Sequence, residues 1–123
     1  MTRTILVIDD EIEVVELIEL VLQGQGFRVL PASSFQQAVA LWDREKESVD
    51  VVLSDLGAIA SKASSFSEIF KKPDLHLLYM SGSAPDEVPA NISSQNFIQK
   101  PYSTSAITRF VSQCFVNPGL SVI

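Results

Sequence analysis

A small set of acidic, hydroxyl and amino side chains follows short apolar runs in this 123-residue chain. Asp9 and Asp10 come directly after Ile-Leu-Val-Ile, and Asp55 follows Val-Val-Leu-Ser. Ser81 and Lys100 occupy equivalent positions after two later apolar runs. Carboxylate oxygens are the ligands that hard cations prefer, so Mg²⁺ that keeps several waters is the natural candidate.

The charges of these side chains indicate a reaction. Three carboxylates and one ammonium group sum to −2, and Mg²⁺ would bring the site to neutrality. Such a site suits a phosphoryl group in transfer, since that reaction needs mainly positioning and charge stabilisation. In this hypothesis Asp55 attacks, Lys100 neutralises phosphoryl oxygens together with the metal, and Ser81 donates a hydrogen bond to one of them.

The elements that must position these residues follow from the hydrophobic pattern. Short apolar runs alternate with helical periodicity, which is typical of βαβ units and a parallel sheet. In an open parallel sheet, ligands bind at the carboxyl ends of the strands, where all five side chains fall. The strands are predicted at residues 5–8, 28–32, 49–54, 75–80 and 96–99.

Helix signals flank these strands. Asp10 with Glu13 predicts a capping box for the first helix, and Ser34 and Ser103 predict N-caps for two others. Residues 57–70 are rich in Ala and Ser and are predicted to form a loop with one short helix near residues 65–70. Pro89 allows no more than a turn or two of helix in residues 84–95.

Composition excludes several classes of protein. The net charge is −6, and the whole excess of acid lies in residues 1–62, which argues against direct nucleic-acid binding. No apolar run approaches the roughly 20 residues of a membrane span, so we expect no membrane insertion. Cys114 is the only cysteine and cannot form an internal disulfide, which favours a cytoplasmic location. Length favours one domain over residues 1–123.

The sequence resembles the receiver domain of two-component response regulators. The matching residues are the triplet Asp9-Asp10-Glu11, Asp55 after its apolar run, Tyr-Met-Ser-Gly at 79–82 and Phe-Ile-Gln-Lys-Pro-Tyr at 97–102. The resemblance implies a single doubly wound (βα)5 domain with a five-stranded parallel sheet in the flavodoxin-like order 2-1-3-4-5. The last two motifs look most like receivers attached to hybrid histidine kinases.

The resemblance also implies a signalling role in a phosphorelay. Asp55 would accept a phosphoryl group from a histidine kinase or a histidine phosphotransfer protein. Asp9, Asp10 and Asp55 would hold Mg²⁺, with the backbone carbonyl of Gly57 as a further ligand. Ser81 would contact the phosphoryl group. The chain would catalyse only its own phosphorylation and dephosphorylation, and the residues leave its oligomeric state open.

Further residues receive roles from the same resemblance. Lys100 would contact the phosphoryl group beside Ser81, and the bond between Lys100 and Pro101 is expected to be cis. Phe97 falls at the aromatic switch position, where the ring turns inward as the Ser81 hydroxyl moves toward the phosphoryl group.

The chain departs from the family pattern after Asp55, and alternatives stay open. No Met-Pro pair follows Asp55, and the segments on both sides of Ser81 are short. Helices three and four, the helices that would follow strands three and four, should therefore be shortened or irregular. A pseudo-receiver, an interaction module without phosphotransfer, is the main alternative. A flavodoxin-like electron carrier is disfavoured because the triplet beginning at Asp9 would repel an FMN phosphate. A phosphatase with an aspartate nucleophile would need a cap segment, for which the chain leaves little room.

Overall fold

The structure is a computed structural model that describes residues 2–59, 66, 68–81, 97–99 and 103–115. Strands and helices alternate among the described residues as far as residue 81. The strands are β1 (Thr4–Ile8), β2 (Arg28–Ala32), β3 (Val49–Asp55), β4 (His76–Ser81) and β5 (Phe97–Gln99). The helices in the described part are α1 (Ile12–Gly24), α2 (Phe35–Glu45), α3 (Leu56–Ile59) and α4 (Thr104–Ser112). All the predicted strands are present, and each boundary agrees to within one residue.

The strands form one parallel sheet in the order β2-β1-β3-β4-β5. The predicted fold class and strand order are therefore confirmed. Neighbouring strands end at nearly the same level, because Ile8 pairs with Ser54 and Asp55 pairs with Met80. The carboxyl ends of β1, β3 and β4 consequently meet at one edge of the sheet.

Alternate residues of the strands face two separate parts of the core, as the period of a strand requires. β1 is buried along its whole length and shows this clearly. Ile5 and Val7 pack with α1 and α4, whereas Leu6 and Ile8 pack with α2. Burial on both faces explains why the strand sequence is continuously apolar.

An aromatic cluster fills the core beside α2. The rings of Phe66 and Phe70 lie 4.8 Å apart, and Phe70 meets Trp42 edge to face at 5.4 Å. Phe35 also lies edge to face with Phe70, and Tyr79 of β4 lies 5.7 Å from Phe66. Each such ring pair contributes about 0.5–1.5 kcal/mol to stability beyond the contribution of the apolar area that it buries. This side of the sheet is therefore packed by large rings.

The segment after β3 differs in part from the prediction. We expected a loop from residue 57, but α3 begins at Leu56, directly after Asp55. Gly57 is a poor helix former, so the sequence carried no helix signal here. The short helix predicted near residues 65–70 is supported, because Phe66, Glu68 and Ile69 have helical conformation.

The predicted capping box of α1 is wrong. The N-cap is Glu11, and its side chain makes no capping hydrogen bond. Instead the carboxylate of Asp9 accepts a hydrogen bond from the backbone N–H of Glu11 at 2.9 Å. Asp9, and not Asp10, therefore stabilises the turn before α1. Asp10 remains exposed to solvent.

The caps of the other two long helices are confirmed. The Ser34 hydroxyl accepts a hydrogen bond from the N–H of Gln37, and the Ser103 hydroxyl accepts one from the N–H of Ala106. α1 ends at Gly24, and the chain turns away from the helix two residues later at Gly26. The φ of Gly26 is 93°, which lies in the left-handed region that favours glycine.

Some predictions lie outside the described residues. These are the role of Lys100, the cis bond between Lys100 and Pro101, and the turn in residues 84–95. Within the part of the chain that the structure describes, no helix is long and apolar enough to cross a membrane.

Candidate functional site

Three acidic side chains converge where β1 and β3 end. Asp9 follows β1 directly, and Asp55 is the last residue of β3. Each of Asp9, Asp10 and Asp55 offers a carboxylate oxygen, and these oxygens all lie within 4.8 Å of one another. The structure therefore brings together the acids that the sequence predicted, at the point where the strand order reverses direction.

The three acids differ in exposure. Asp9 is fully buried, Asp55 is 7% exposed, and Asp10 is exposed to solvent. The Asp9 carboxylate accepts a hydrogen bond from the backbone N–H of Glu11, which holds the carboxylate in place. Among the described residues, the cluster thus has a buried side at Asp9 and an exposed side at Asp10.

The donor set fits a hard divalent cation. Like charges this close repel one another, and a cation between them would reverse the sign of the interaction. Mg²⁺ binds to one or two carboxylates while keeping several waters, and the exposed position of Asp10 leaves space for those waters. Asp9, Asp10 and Asp55 are accordingly suited to hold Mg²⁺.

Ser81 lies at the same edge of the sheet. It is the last residue of β4, next to Met80, which pairs with Asp55. Its side chain is 6% exposed. The end of the neighbouring strand therefore places a buried hydroxyl at the same edge of the sheet as Asp55.

Phe97 occupies the next strand outward. It begins β5 opposite Tyr79 and is half-buried against the aromatic cluster. Phe97 therefore packs on the α2 side of the sheet and not against α1 and α4. Lys100, which the sequence places at the end of the same strand, lies outside the described residues.

Gly57 is the second residue of α3 and lies beside the Asp55 carboxylate. A Cβ atom built at Gly57 would be 2.9 Å from Asp55 Oδ2. The sequence suggested Gly57 only through the resemblance, for its backbone carbonyl. The close approach to Asp55 was missed, because it depends on a helix that begins without a connecting loop.

The exposed apolar residues of α1 were not predicted from the sequence. Ile12, Leu17 and Leu20 are 59, 49 and 69% exposed, respectively. The signal was present for Leu17 and Leu20, which fall outside the helical spacing of the buried residues Val15 and Ile18, whereas Ile12 keeps that spacing and is exposed as the first residue of the helix.

One half-buried group and one buried group outside the site, Cys114 and Tyr79, have raised pKa values. Burial raises the pKa of the Cys114 thiol to about 11, so this cysteine is protonated at neutral pH and is a poor nucleophile. Burial also raises the pKa of the Tyr79 hydroxyl. Both groups therefore remain uncharged parts of the core.

The fold and the site define a class of small α/β domains. The sheet is doubly wound, and its acidic cluster lies at the β1/β3 crevice where such domains bind their ligands. Comparison with known proteins shows which family of such domains has the same fold.

The chain is similar to response regulators in sequence and in structure. No protein-family model matches it. It is 26% identical over 119 residues to the response regulator GtcR of Aneurinibacillus migulanus, covering 92% of this chain and 48% of that protein. The chain thus spans about half the length of the curated relative that it matches.

Solved structures of receiver domains have the same fold. A response regulator from Thermotoga maritima has a TM-score of 0.74 at 21% identity, with 93% of this chain and 98% of that chain covered. The receiver domain of the hybrid histidine kinase CckA has a TM-score of 0.66 at 20% identity, over 90% of this chain and 97% of that chain.

One further structure is the CheX–CheY–BeF3–Mg²⁺ complex from Borrelia burgdorferi, with a TM-score of 0.68 at 17% identity over 94% of this chain and 90% of that chain. Together these similarities confirm the resemblance to response regulator receiver domains. The chain has the receiver-domain fold.

Proposed function

We propose that this chain is a phosphoacceptor receiver domain of a two-component phosphorelay, with Asp55 as the phosphorylated residue. The observation that carries the proposal is the convergence of three carboxylate oxygens within 4.8 Å at the end of the central strands. The receiver-domain fold supports it, because in that fold Asp55 terminates β3 beside the acids that follow β1.

The proposed reaction is the transfer of a phosphoryl group from a phosphohistidine. An Asp55 oxygen forms a bond to phosphorus while the bond between phosphorus and the histidine nitrogen breaks. The product is an acyl phosphate, and the imidazole leaves with the electron pair of the broken bond. Asp55 is the last residue of β3 and is 7% exposed, so the strand would position its carboxylate for in-line attack.

The other residues of the site supply charge and orientation. Asp9, Asp10 and the Asp55 carboxylate would hold Mg²⁺, with the Gly57 carbonyl as a further ligand, and the ion supplies positive charge for the phosphoryl oxygens. A CheY structure in complex with BeF3 and Mg²⁺ has the same fold and supports this assignment. The Ser81 hydroxyl donates a hydrogen bond to a phosphoryl oxygen, and Lys100 donates another.

The proposed output is a shift between two conformations of β4 and β5. When Ser81 moves toward the phosphoryl group, it leaves space that the Phe97 ring can fill. Phe97 already contacts the cluster that contains Tyr79 and Phe66, so the change would reach the α2 side of the sheet. Phosphorylation would shift the populations of the two states and so change which proteins bind.

The proposed partner is a histidine kinase or a histidine phosphotransfer protein. The apolar residues Ile12, Leu17 and Leu20 are exposed on the helix that begins beside the site. Glu13 and Glu16 are exposed on the same helix. We therefore expect the donor protein to present apolar and basic side chains to α1. A cytoplasmic location belongs to the same proposal.

A second candidate is the pseudo-receiver, which binds proteins without accepting a phosphoryl group. One observation favours it: α3 begins at Leu56, so the Met-Pro segment that usually follows the acceptor is replaced by one short turn of helix. The exposed surface of α1 serves this function equally well. The two candidates differ only in whether Asp55 reacts.

The test is the intact mass of the protein after incubation with acetyl phosphate and Mg²⁺. We expect one added phosphoryl group on the wild type, none on Asp55→Asn, and none on the wild type in EDTA. Asp43→Asn, an exposed acid on α2, is the matched control and should be phosphorylated like the wild type. If the folded wild type gains no mass from acetyl phosphate or from a phosphohistidine protein, the pseudo-receiver is the correct assignment.

A further inference from the structure

The acceptor carboxylate and the first turn of α3 lie close together in this chain. β3 ends at Asp55 and α3 begins at Leu56, with no connecting residue. The Cα of Gly57 consequently lies beside the Asp55 side chain. A Cβ atom at Gly57 would be 2.9 Å from Asp55 Oδ2 and 3.9 Å from Asp55 Cγ. Contacts between carbon and oxygen in proteins begin at about 3.3 Å, so the shorter distance is a collision.

The backbone does not require glycine at this position. Gly26 has a φ of 93° and needs glycine for that reason, whereas Gly57 has no positive φ. Among the residues that the structure describes, and apart from chain neighbours and the backbone of its own helix, only the Asp55 carboxyl group lies within 4 Å of the Cβ position. Gly57 therefore provides space for one group, the carboxylate of Asp55.

We propose that Gly57 is a positioning residue that keeps the Asp55 carboxylate aimed at the site by having no side chain. This inference rests on the proposed function, and it is separate from any role of the Gly57 carbonyl, which every residue type shares. The colliding atom is the end of a side chain. A methyl group at position 57 would therefore be accommodated by rotation of the Asp55 carboxylate, which moves its oxygens relative to Asp9 and Asp10.

The test compares Gly57→Ala with Gly24→Ala. Gly24 is the last residue of α1, and a Cβ atom there meets nothing within 4 Å, so it controls for the change from glycine to alanine in a helix. Mg²⁺ affinity is measured by isothermal titration calorimetry, and phosphorylation by acetyl phosphate is followed by intact mass. We expect G57A to bind Mg²⁺ more weakly and to be phosphorylated about tenfold more slowly or worse, since a misplacement of about 1 Å can cost a hundredfold in rate.

The metal-free proteins provide a readout that does not depend on activity. Both variants should unfold at or above the wild-type temperature in EDTA, because alanine is the better helix former. A G57A protein with unchanged Mg²⁺ affinity and unchanged phosphorylation rate would overturn the inference.

A double-mutant cycle shows whether Gly57 acts through Asp55. Asp55→Ala removes the colliding oxygen, so adding G57A to D55A should leave the Mg²⁺ affinity of D55A unchanged. If G57A alone unfolds, D55A should restore its folding, and failure to do so would refute the proposal. If the wild type accepts no phosphoryl group but the cycle shows coupling in Mg²⁺ affinity, the proposed function fails while the positioning role of Gly57 stands.

Discussion

Replacement of Asp10 by asparagine should stabilise the metal-free protein. In the presence of Mg²⁺ the same variant should be less stable than the wild type. Asp10 is exposed and lies within 4.8 Å of oxygens from Asp9 and Asp55. At that distance two unit charges repel by about 0.9 kcal/mol at the dielectric constant of water. Asp10→Asn removes two such repulsions, a gain of about 1.7 kcal/mol in the free energy of unfolding of the metal-free protein.

One opposing effect reduces this gain. Asp10 lies just before the N-terminus of α1, where a negative charge is worth about 0.5 kcal/mol to the helix. The net stabilisation of the metal-free protein by D10N is therefore about 1 kcal/mol at low salt, or about 3–6 °C in melting temperature for a chain of this size.

Mg²⁺ should reverse the order of stability of D10N and the wild type. A ligand at a hundred times its Kd stabilises the folded state by about 2.7 kcal/mol, and D10N loses part of this because it has lost one ligand. Urea denaturation in EDTA and in excess Mg²⁺ measures both quantities. Asp43→Asn, on the exposed side of α2, should behave like the wild type in both conditions.

The outcome that would refute this reasoning is equally definite. If D10N is less stable than the wild type in EDTA, then the acids of the cluster do not repel one another as their distances require. If Mg²⁺ stabilises D10N and the wild type by the same amount, then Asp10 does not hold the ion. An unchanged urea m-value is needed for either comparison, because a change would mean that the unfolded or folded state itself has altered.

Two further outcomes test the packing of the chain. Phe70→Ala should lower the free energy of unfolding by about 3–5 kcal/mol, because Phe70 is 1% exposed and touches the rings of Trp42 and Phe66. Urea denaturation followed by Trp42 fluorescence measures this, and a loss below about 1 kcal/mol, the cost of a mild core change, would mean that the ring is not in the core. Cys114 should react slowly with iodoacetamide at pH 8, because burial raises the pKa of its thiol to about 11. Its contribution to stability is complete below pH 9 and is lost as the pH rises through about 11; equal alkylation rates in the native and urea-unfolded protein would contradict this.

The strands and the acidic site could be predicted because both follow from local patterns. A continuously apolar run such as residues 5–8 has no amphipathic helical face, and burial on both sides of a parallel sheet explains it. The acids after β1 and β3 then meet for a geometric reason, since parallel strands end at one edge. The N-caps at Ser34 and Ser103 were predictable in the same way, because a cap depends on residues within one turn.

The remaining features depend on contacts that the sequence does not display. Asp10 and Glu13 match a capping box, yet Asp9 takes the N–H of Glu11 because β1 delivers its carboxylate to that point. α3 was missed because its residues include Gly57, and the reason for that glycine is the Asp55 side chain beside it. In both places tertiary geometry at the site overrides the local preference of the chain.

The same geometry explains why the site is costly to form without a cation. Asp9 is fully buried and Asp55 nearly so, and burying charged groups near one another is unfavourable. The buried strands around them compensate, since β1 and most of β3 are closed off from water on both faces. The core around β1 and β3 therefore holds the acids together against their mutual repulsion. A cluster kept at such a cost is readily explained if a cation or a phosphoryl group repays it on binding, which is why the sign reversal in D10N is the decisive measurement for this site.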